Sequence, residues 1–458
     1  MRVGATVTEA VLDELRRIVG KEHVHTEIEK LMVYSFDSTF QNHLPEVLVK
    51  PHTVEETAAV VKAAAQYGIP LTVRGAGTCL SGGPVALEGG ILMEMTAFKR
   101  IIEINAAEGY AVVEPGVVTN ELIAAAEEKG LFYPPDPSSS GMSTVGGNVA
   151  ECAGGGRGVK YGVTRDYVLE LQLILPDGQC ITVGNKVDGL TGWLDLPMLF
   201  TGSEGTLAII TQITVRLLPK PQAIRTALVQ YAQLDAAART VSAIIGAGVV
   251  PTTIEIMDQM RLRAVENFLQ IGLDTSKAAF VLLEVDGEPQ EVELQLEQVI
   301  QICKENGAVE IQVAHDERER AALWKARKST SGACGKINPT KIGEDIAVPP
   351  ANIHKMIQAV KEIAEKYRLN LVVLGHAGDG NLHPNIMTDK RNKEEMERVS
   401  QAIDELFARA LALGGTLSGE HGIGFMKAAY VLQELGRDGY LAQKSVKDAL
   451  DPQGFLNP

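Results

Sequence analysis

The 458-residue sequence predicts an α+β protein of more than one domain. Three observations carry that. Residues 47–73 read as a β–α–β unit. Residues 134–161 are an almost unbroken run of loop formers. After Pro219 and Pro221 the chain changes to strands alternating with long helices. A hydrophobic share of 45% and a charged share of 22% suit a chain with a sizeable core.

The N-terminal stretch MRVGATVTEAVLDELRRIVG has the apolar spacing of an amphipathic helix and lacks a signal-peptide core. VLVK is a short strand. Thr53 with Glu56 fits a capping box, VEETAAVVKAAAQYG is the helix behind it, and Gly68 ends that helix. IPLTVRG is the next strand, followed by the loop GAGTCLSGG. ILMEMTAFKRIIEIN and GYAVVEPGV read as strands with turns, and NELIAAAEEKG as a helix. LELQLILPDG and GTLAIITQITVRLLP resume strand patterning. In the second domain TALVQYA and AAFVLLEVDG are strands, while LDAAARTVSAIIGAG and EVELQLEQVIQICKENG are helices. A long helix, EEMERVSQAIDELFARALALGG, leads to TLSGEHGIG, and a last helix runs through KSVKDAL. The expected domains are 1–221, 222–425, and a segment 426–458 that returns to the first.

A net charge of −15 argues against nucleic acid or an anionic membrane as the main partner. The five cysteines, Cys79, Cys152, Cys180, Cys303 and Cys334, form no CxxC pair, which argues against a cysteine-held cluster, a zinc site or a disulfide scaffold. No apolar stretch is long enough to span a bilayer, and a cytoplasmic protein is expected.

RGAGTCLSGG follows a strand, and its small residues let main-chain amides approach an anion. No GK[ST] ends it and the GxGxxG spacing fails, so it is neither a Walker loop nor a dinucleotide fingerprint. Alone it also reads as a flexible turn. Together with the second small-residue tract, PPDPSSSGMSTVGGNVAECAGGGRGVKYG, it suits an extended, phosphate-bearing cofactor.

His376 and His383 in GHAGDGNLHPN are not at helical spacing. They could flank a tight loop opened by Gly378 and Gly380. Structural imidazoles and metal ligands both fit that pattern. SGEHGIG adds Glu420 and His421, and a His/His/Glu set suits a divalent cation with an open position. Glu420 and His421 are adjacent, so sharing one site needs the irregular backbone that Gly419 and Gly422 permit. Asp379 reads more readily as a residue that fixes the loop than as a ligand.

In this order, RGAGTCLSGG, PPDPSSSGMSTVGGNVAECAGG, GVKYGVTRDYV and FTGSEGTLAIIT resemble the FAD-binding domain of the vanillyl-alcohol-oxidase type. GHAGDGNLH, SGEHGIG and the terminal DPQGFLNP resemble the C-terminal half of one branch, the FAD-linked D-2-hydroxyacid dehydrogenases, which include D-lactate dehydrogenase, D-2-hydroxyglutarate dehydrogenase and the glycolate oxidase flavoprotein subunit. The resemblance implies a two-subdomain FAD-binding domain plus an α+β cap, or substrate, domain with a largely antiparallel sheet. It also implies FAD, with its pyrophosphate on Arg74, Gly75, Ala76, Gly77, Thr78, Cys79, Leu80, Ser81 and Gly82. Thr78 stands where relatives with a covalent flavin often carry histidine, so the FAD is expected to be non-covalent. Cys79 replaces a commoner serine. Pro137, Ser138, Ser139, Gly141, Met142, Thr144, Gly146, Gly147, Asn148, Ala150, Gly154, Tyr161, Gly162, Glu204, Gly205, Ile210 and Asn457 would hold the rest of the cofactor.

By the same resemblance His376, His383 and Glu420 bind a divalent metal (zinc, manganese or iron), and His421 is the base. Arg327, with Lys341, grips the substrate carboxylate, and Asn385 contacts substrate. The implied reaction is oxidation of a small D-2-hydroxy acid, D-lactate or glycolate, to the 2-oxo acid. Electrons would pass to a quinone or a separate protein, either an electron-transferring flavoprotein or an iron–sulfur subunit. A homodimer is compatible with this, and any peripheral membrane association would come only through partners. The alternatives are a non-catalytic flavin subunit and an enzyme like alkylglycerone-phosphate synthase.

Overall fold

The computed structural model describes residues 6–39, 41–187, 194–270, 273–335 and 337–458. The first five residues of the expected N-terminal helix lie outside these, and the helix itself is Glu9–Val19. Contacts divide the chain into two compact units. The first comprises Met1–Ala153, Val163–Lys220 and His421–Pro458; the second comprises Gly154–Gly162 and Pro221–Glu420.

The first unit is built on two sheets. In one, the strands Val47–Val49, Ile91–Glu94 and Leu71–Arg74 are parallel neighbours in that order. The helix Val54–Tyr67 makes the crossover. Thr53 caps it by accepting Glu56 N at 3.1 Å, and the Glu56 carboxylate reaches back to His52 N at 2.7 Å. Gly68 ends it at φ 63°, a left-handed cap that favours glycine. Val60, Val61 and Ala64 from this helix bury against Val47, Leu71, Ile91 and Met93. Each large aliphatic so removed from water contributes roughly 1.5–3 kcal/mol. The C-terminus joins the same sheet, with Leu456 bridging Leu71 and Asn457 N donating to Leu71 O at 2.8 Å. The other sheet is antiparallel, in the order Ile101–Asn105, Tyr110–Val113, Ile209–Arg216, Val168–Ile174 and Cys180–Gly184.

The tract 134–161 is not all loop. Val145–Glu151 is a helix capped by Thr144, whose Oγ1 accepts Gly147 N at 3.3 Å. Gly146 and Gly147 hide it from propensity reasoning. Gly146 is there for packing, since a Cβ would come 2.4 Å from Pro115 Cβ.

The second unit is organised by an antiparallel sheet. Its strand order is Ala308–Val313, Ala223–Tyr231, Ala279–Gly287, Thr253–Asp258, Asn370–His376, Asn381–Thr388 and Thr340–Gly343, and Ile346–Ala347 also pairs with Asn381–Thr388. Side chains alternate between faces. One face packs Ala227 and Val285 on Val292 and Leu296 of the helix Pro289–Glu305. The other packs Leu228, Met257, Phe280, Leu282 and Leu374 against Leu262 and Leu323 of two further helices. The strand register puts Glu255, His376, His383, Asn385 and Lys341 on this second face.

GHAGDGNLHPN is therefore a hairpin rather than a loop. His376 ends one strand, His383 lies inside the next, and the turn takes only Ala377–Gly380. Gly375 permits the tight pairing, because a Cβ there would sit 2.4 Å from Asn381 O. Among the described residues no helix is long and apolar enough to cross a membrane.

Candidate active site

In the first unit, strand Leu71–Arg74 delivers the chain into the loop Gly75–Gly82. Arg74 is buried, its guanidinium 5.8 Å from the Tyr34 ring centre and its Nη1 3.4 Å from Pro84 O. Among the described residues, the main-chain N–H groups of Gly75, Ala76, Gly77, Thr78, Cys79 and Leu80 have no protein acceptor. Ser81 N turns to Cys79 Sγ at 3.3 Å and Gly82 N to Asp37 at 3.0 Å. A run of donors without acceptors fits a phosphate-bearing cofactor.

This loop lies against the Thr144 cap: a Cβ on Gly75 would come 2.5 Å from Thr144 Oγ1. Pro137 to Met142 form tight turns, with Ser140 N on Pro137 O and Met142 N on Ser139 O, both at 2.8 Å. Gly146, Gly147, Asn148 and Ala150 follow on the capped helix, and the Asn148 amide is fixed to Thr119 Oγ1 at 2.8 Å. Glu204 accepts Ile423 N at 2.7 Å and Gly424 N at 2.6 Å. Asn457 ties Gly83 O (2.9 Å) to Glu204 O (2.7 Å), beside Gly205 and the Ile210 strand. The first unit thus gathers most of the expected cofactor residues. Gly154, Tyr161 and Gly162 belong to the second unit, where the Tyr161 hydroxyl is committed to Asp286 at 2.9 Å.

The second unit holds the histidine cluster. The rings of His376 and His383 stand 5.2 Å apart and almost perpendicular. Their Nε2 atoms lie 3.2 and 3.3 Å from Glu420 Oε1, and the three donor atoms lie within 4.8 Å of one another. Each opposite nitrogen faces a buried carboxylate. His376 Nδ1 bonds Glu255, and His383 Nδ1 lies 3.4 Å from Asp345 Oδ1. A carboxylate behind each Nδ1 fixes the tautomer that leaves Nε2 as a ligand atom, so the residues fit a divalent cation.

Asp345 does more. Its Oδ2 accepts Ser418 Oγ (2.8 Å), Gly419 N (2.9 Å) and Glu420 N (3.0 Å), and so sets the Glu420 backbone. Burial alone would push both imidazoles down. For His376 the charges of Glu255 and Glu420 outweigh it and raise its pKa well above the usual value; for His383 its bonds to Asp345 and Glu420 raise the pKa. Burial would push the Glu420 carboxyl up, yet the two histidines hold it well below the carboxylate range.

Arg327 comes from the helix Glu317–Lys328, and its Nε donates to Glu255 at 2.6 Å. Asn385 is buried on the histidine strand and spends its amide on His383 O at 2.8 Å. Lys341 lies opposite Met387 on the neighbouring strand. Asp379 accepts Asn381 N at 3.2 Å, a turn-fixing bond, and burial raises its pKa to about 6. His421 follows Glu420 directly, is half-buried, and opens the last segment of the first unit. Sequence reasoning missed Glu255 and Asp345. The only signal for Glu255 was an acid at an alternating strand position in TIEIMD.

Residues 45–184 match the family described as FAD binding domain, and residues 220–458 match FAD linked oxidases, C-terminal domain. The chain is 44% identical over 453 residues to glycolate oxidase subunit GlcD of Bacillus subtilis (strain 168), covering 99% of this chain and 96% of that protein. To GlcD of Escherichia coli (strain K12) it is 36% identical over 452 residues, covering 98% and 90%. To D-lactate dehydrogenase of Anaerostipes hadrus it is 34% identical over 464 residues, covering 99% and 97%. Among solved structures, p-cresol methylhydroxylase with substrate bound aligns with a TM-score of 0.80 at 18% identity, over 100% of this chain and 98% of that one. Alkyldihydroxyacetonephosphate synthase aligns with a TM-score of 0.76 at 18% identity, over 99% and 86%. At such identity the likeness concerns the fold, and it bears out the vanillyl-alcohol-oxidase type of FAD-binding fold with antiparallel sheets.

Proposed function

Because this chain belongs to the FAD-linked oxidase family and is an FAD-linked oxidoreductase, we propose that it oxidises a D-2-hydroxy acid to the 2-oxo acid. D-Lactate and glycolate are the first substrates to test, after the names of the relatives. The observation that carries the reading is the buried His376–His383–Glu420 cluster with Glu255 and Asp345 behind its imidazoles.

The Gly75–Leu80 amides would hold the FAD pyrophosphate, and the flavin would supply a two-electron acceptor. His376, His383 and Glu420 would hold a divalent cation, which would supply Lewis acidity. Glu255 and Asp345 keep both Nε2 atoms aimed as ligands. Arg327, anchored through Nε by Glu255, presents its remaining N–H groups to the substrate carboxylate, with Lys341 and Asn385 assisting. His421 takes the hydroxyl proton. Two of the relatives are named as subunits, so we assign the electrons to a separate redox protein, an iron–sulfur subunit or an electron-transferring flavoprotein.

Anaerobic stopped-flow spectroscopy of the flavin band tests this. Wild-type protein should bleach with a D-2-hydroxy acid. His421→Ala should keep its FAD and bleach about 10²–10⁴-fold more slowly, the usual range for a lost general base. Rapid bleaching by that variant would remove His421 from the role.

A further inference from the structure

Among the described residues, five that are not glycine have a positive φ: Cys152, Glu204, Gln270, Arg368 and Asn457. Cys152, Gln270 and Arg368 cap the C-termini of helices, where a left-handed residue is ordinary. Glu204 and Asn457 end no helix, and they are bonded to each other, the Asn457 amide donating to Glu204 O at 2.7 Å. Asparagine tolerates that conformation. Glutamate does so at a cost, and glycine would take it at none. A glutamate kept at φ 52° points to a use for its side chain.

Both Glu204 carboxylate oxygens are spent on main chain. Oε1 accepts Ile423 N at 2.7 Å and Oε2 accepts Gly424 N at 2.6 Å. These amides lie two and three residues after His421, in the same unit as Glu204. Gly422, the residue next to His421, is backed as well. A Cβ there would collide with Glu151 Oε2 and stand 3.0 Å from Glu204 Oε1. Burial raises the Glu204 pKa, while the two amides and the charge of Lys427 oppose that.

The same segment closes on the end of the cofactor loop. Met426 N donates to Ser81 O at 3.2 Å, a Cβ on Gly424 would collide with Ser81 O, and one on Gly82 would collide with the Phe425 ring. Lys427 N donates to Ile423 O at 3.0 Å, so Ile423–Lys427 is one closed turn. Glu204 is fixed from behind. Its N donates to Ala150 O at 2.9 Å, on the Thr144-capped helix, and its O is tied through Asn457 to Gly83 O. It therefore stands as a strut between the stretches expected to carry the cofactor and the turn that follows His421.

We infer that Glu204 is a positioning residue: through Ile423 and Gly424 its carboxylate fixes the backbone of His421 against the cofactor loop, so that the imidazole is presented in one orientation. This rests on His421 being the base, as proposed above.

Three readouts on the holoprotein test it. Hydrogen exchange over residues 421–427 should rise in Glu204→Gln and rise further in Glu204→Gly, the variant at ease with the backbone, while FAD affinity stays within about threefold of wild type. The limiting rate of anaerobic flavin bleaching should fall about tenfold in Glu204→Gln and about 100-fold in Glu204→Gly, the scale of a misplaced catalytic group, with the half-saturating substrate concentration within about twofold. In a His421→Ala background, Glu204→Gly should change the residual rate by less than about twofold, because the group it positions is gone. Unchanged exchange over 421–427, an equal rate loss in both backgrounds, or loss of FAD from Glu204→Gln overturns the positioning role. Glu204→Gln, which keeps the shape of the side chain, decides the matter if the glycine variant does not fold. If exchange rises while His421→Ala bleaches as fast as wild type, the hold of Glu204 on the segment stands and the base reading falls.

Discussion

The two units differ in what they offer a guest. In the first, the free donors are main-chain N–H groups on a loop of small residues, Gly75 to Leu80. In the second, the polar groups of the cluster are side chains, Glu255, His376 and His383 from one sheet face and Asp345 and Glu420 from loops, and each imidazole has its own carboxylate. A main-chain site tolerates exchange of side chains but not the arrival of a Cβ. A side-chain site tolerates neither the loss of a ligand nor the loss of the group that aims it. The consequence is separability: damage to one site should leave the other loaded.

The largest expected effect breaks the second site alone. His383→Ala removes one of the three donors of the proposed metal site and should take the divalent metal content to near zero by elemental analysis, while FAD content is unchanged. Substrate-driven bleaching should fall by about 10³-fold or more, since the Lewis acid leaves with the metal. Loss of FAD in the same variant would mean that the two sites do not report separately.

Gly75→Ala makes the reverse cut. The new Cβ would stand 2.5 Å from Thr144 Oγ1, and relieving such a clash costs typically 1–3 kcal/mol. FAD affinity should fall about 10–100-fold with metal content intact, which equilibrium dialysis can read. Cys79→Ser should leave affinity within a fewfold, because its side chain is turned to Ser81 and Glu151.

Glu255→Gln probes the groups behind the ligands. It weakens the hold on His376 and leaves Arg327 without its counter-charge. Metal affinity should drop about 10–100-fold, as for other carboxylates behind a ligating histidine. The buried Arg327 left unpaired should also cost about 3–5 kcal/mol of stability, visible as a lower denaturant midpoint. An unchanged metal affinity would make Glu255 a partner of Arg327 only.

The same contrast decides what was legible in the sequence. Helix Val54–Tyr67 carries its own punctuation, Thr53 and Gly68, and its apolar spacing faces a single core. Helix Val145–Glu151 has the same kind of cap, but Gly146 and Gly147 read as loop, and Gly146 is there for a close approach to Pro115. His376, His383 and Glu420 were visible as residue types amid glycines, yet His376 and His383 lie on paired strands. Glu255 precedes His376 by 121 positions and Asp345 precedes Glu420 by 75. Only sheet register and a loop crossing bring them together, and neither leaves a local pattern. Tyr161 sits in the small-residue tract, but its hydroxyl answers to Asp286, a partner 125 residues away.

The smallest predicted effect asks whether the first unit is as free of side-chain charge as its loop suggests. Glu151 ends the Thr144-capped helix with its carboxylate turned inward, Oε1 3.3 Å from Cys79 Sγ and a buried Oε2 without a partner among the described residues. Glu204 nearby satisfies both its oxygens with Ile423 N and Gly424 N. Burial first, and then the Glu204 charge, raise the Glu151 pKa well above the usual carboxylate value. The folded state therefore holds a proton that the unfolded chain releases near pH ~4.3. That contribution to stability is fully present below this pH and is lost as pH rises through the raised value. Glu151→Gln keeps the neutral shape and removes the titration. Its melting temperature should match wild type near pH ~4 and exceed it progressively toward alkaline pH. The gain should be ~2–4 °C for each kcal/mol that wild type loses, the scale for a chain of ~150–250 residues and smaller for a longer one. A difference that does not change with pH would mean that Glu151 is ionised throughout. The first unit would then stabilise a buried charge at the same loop whose amides are offered to an anion.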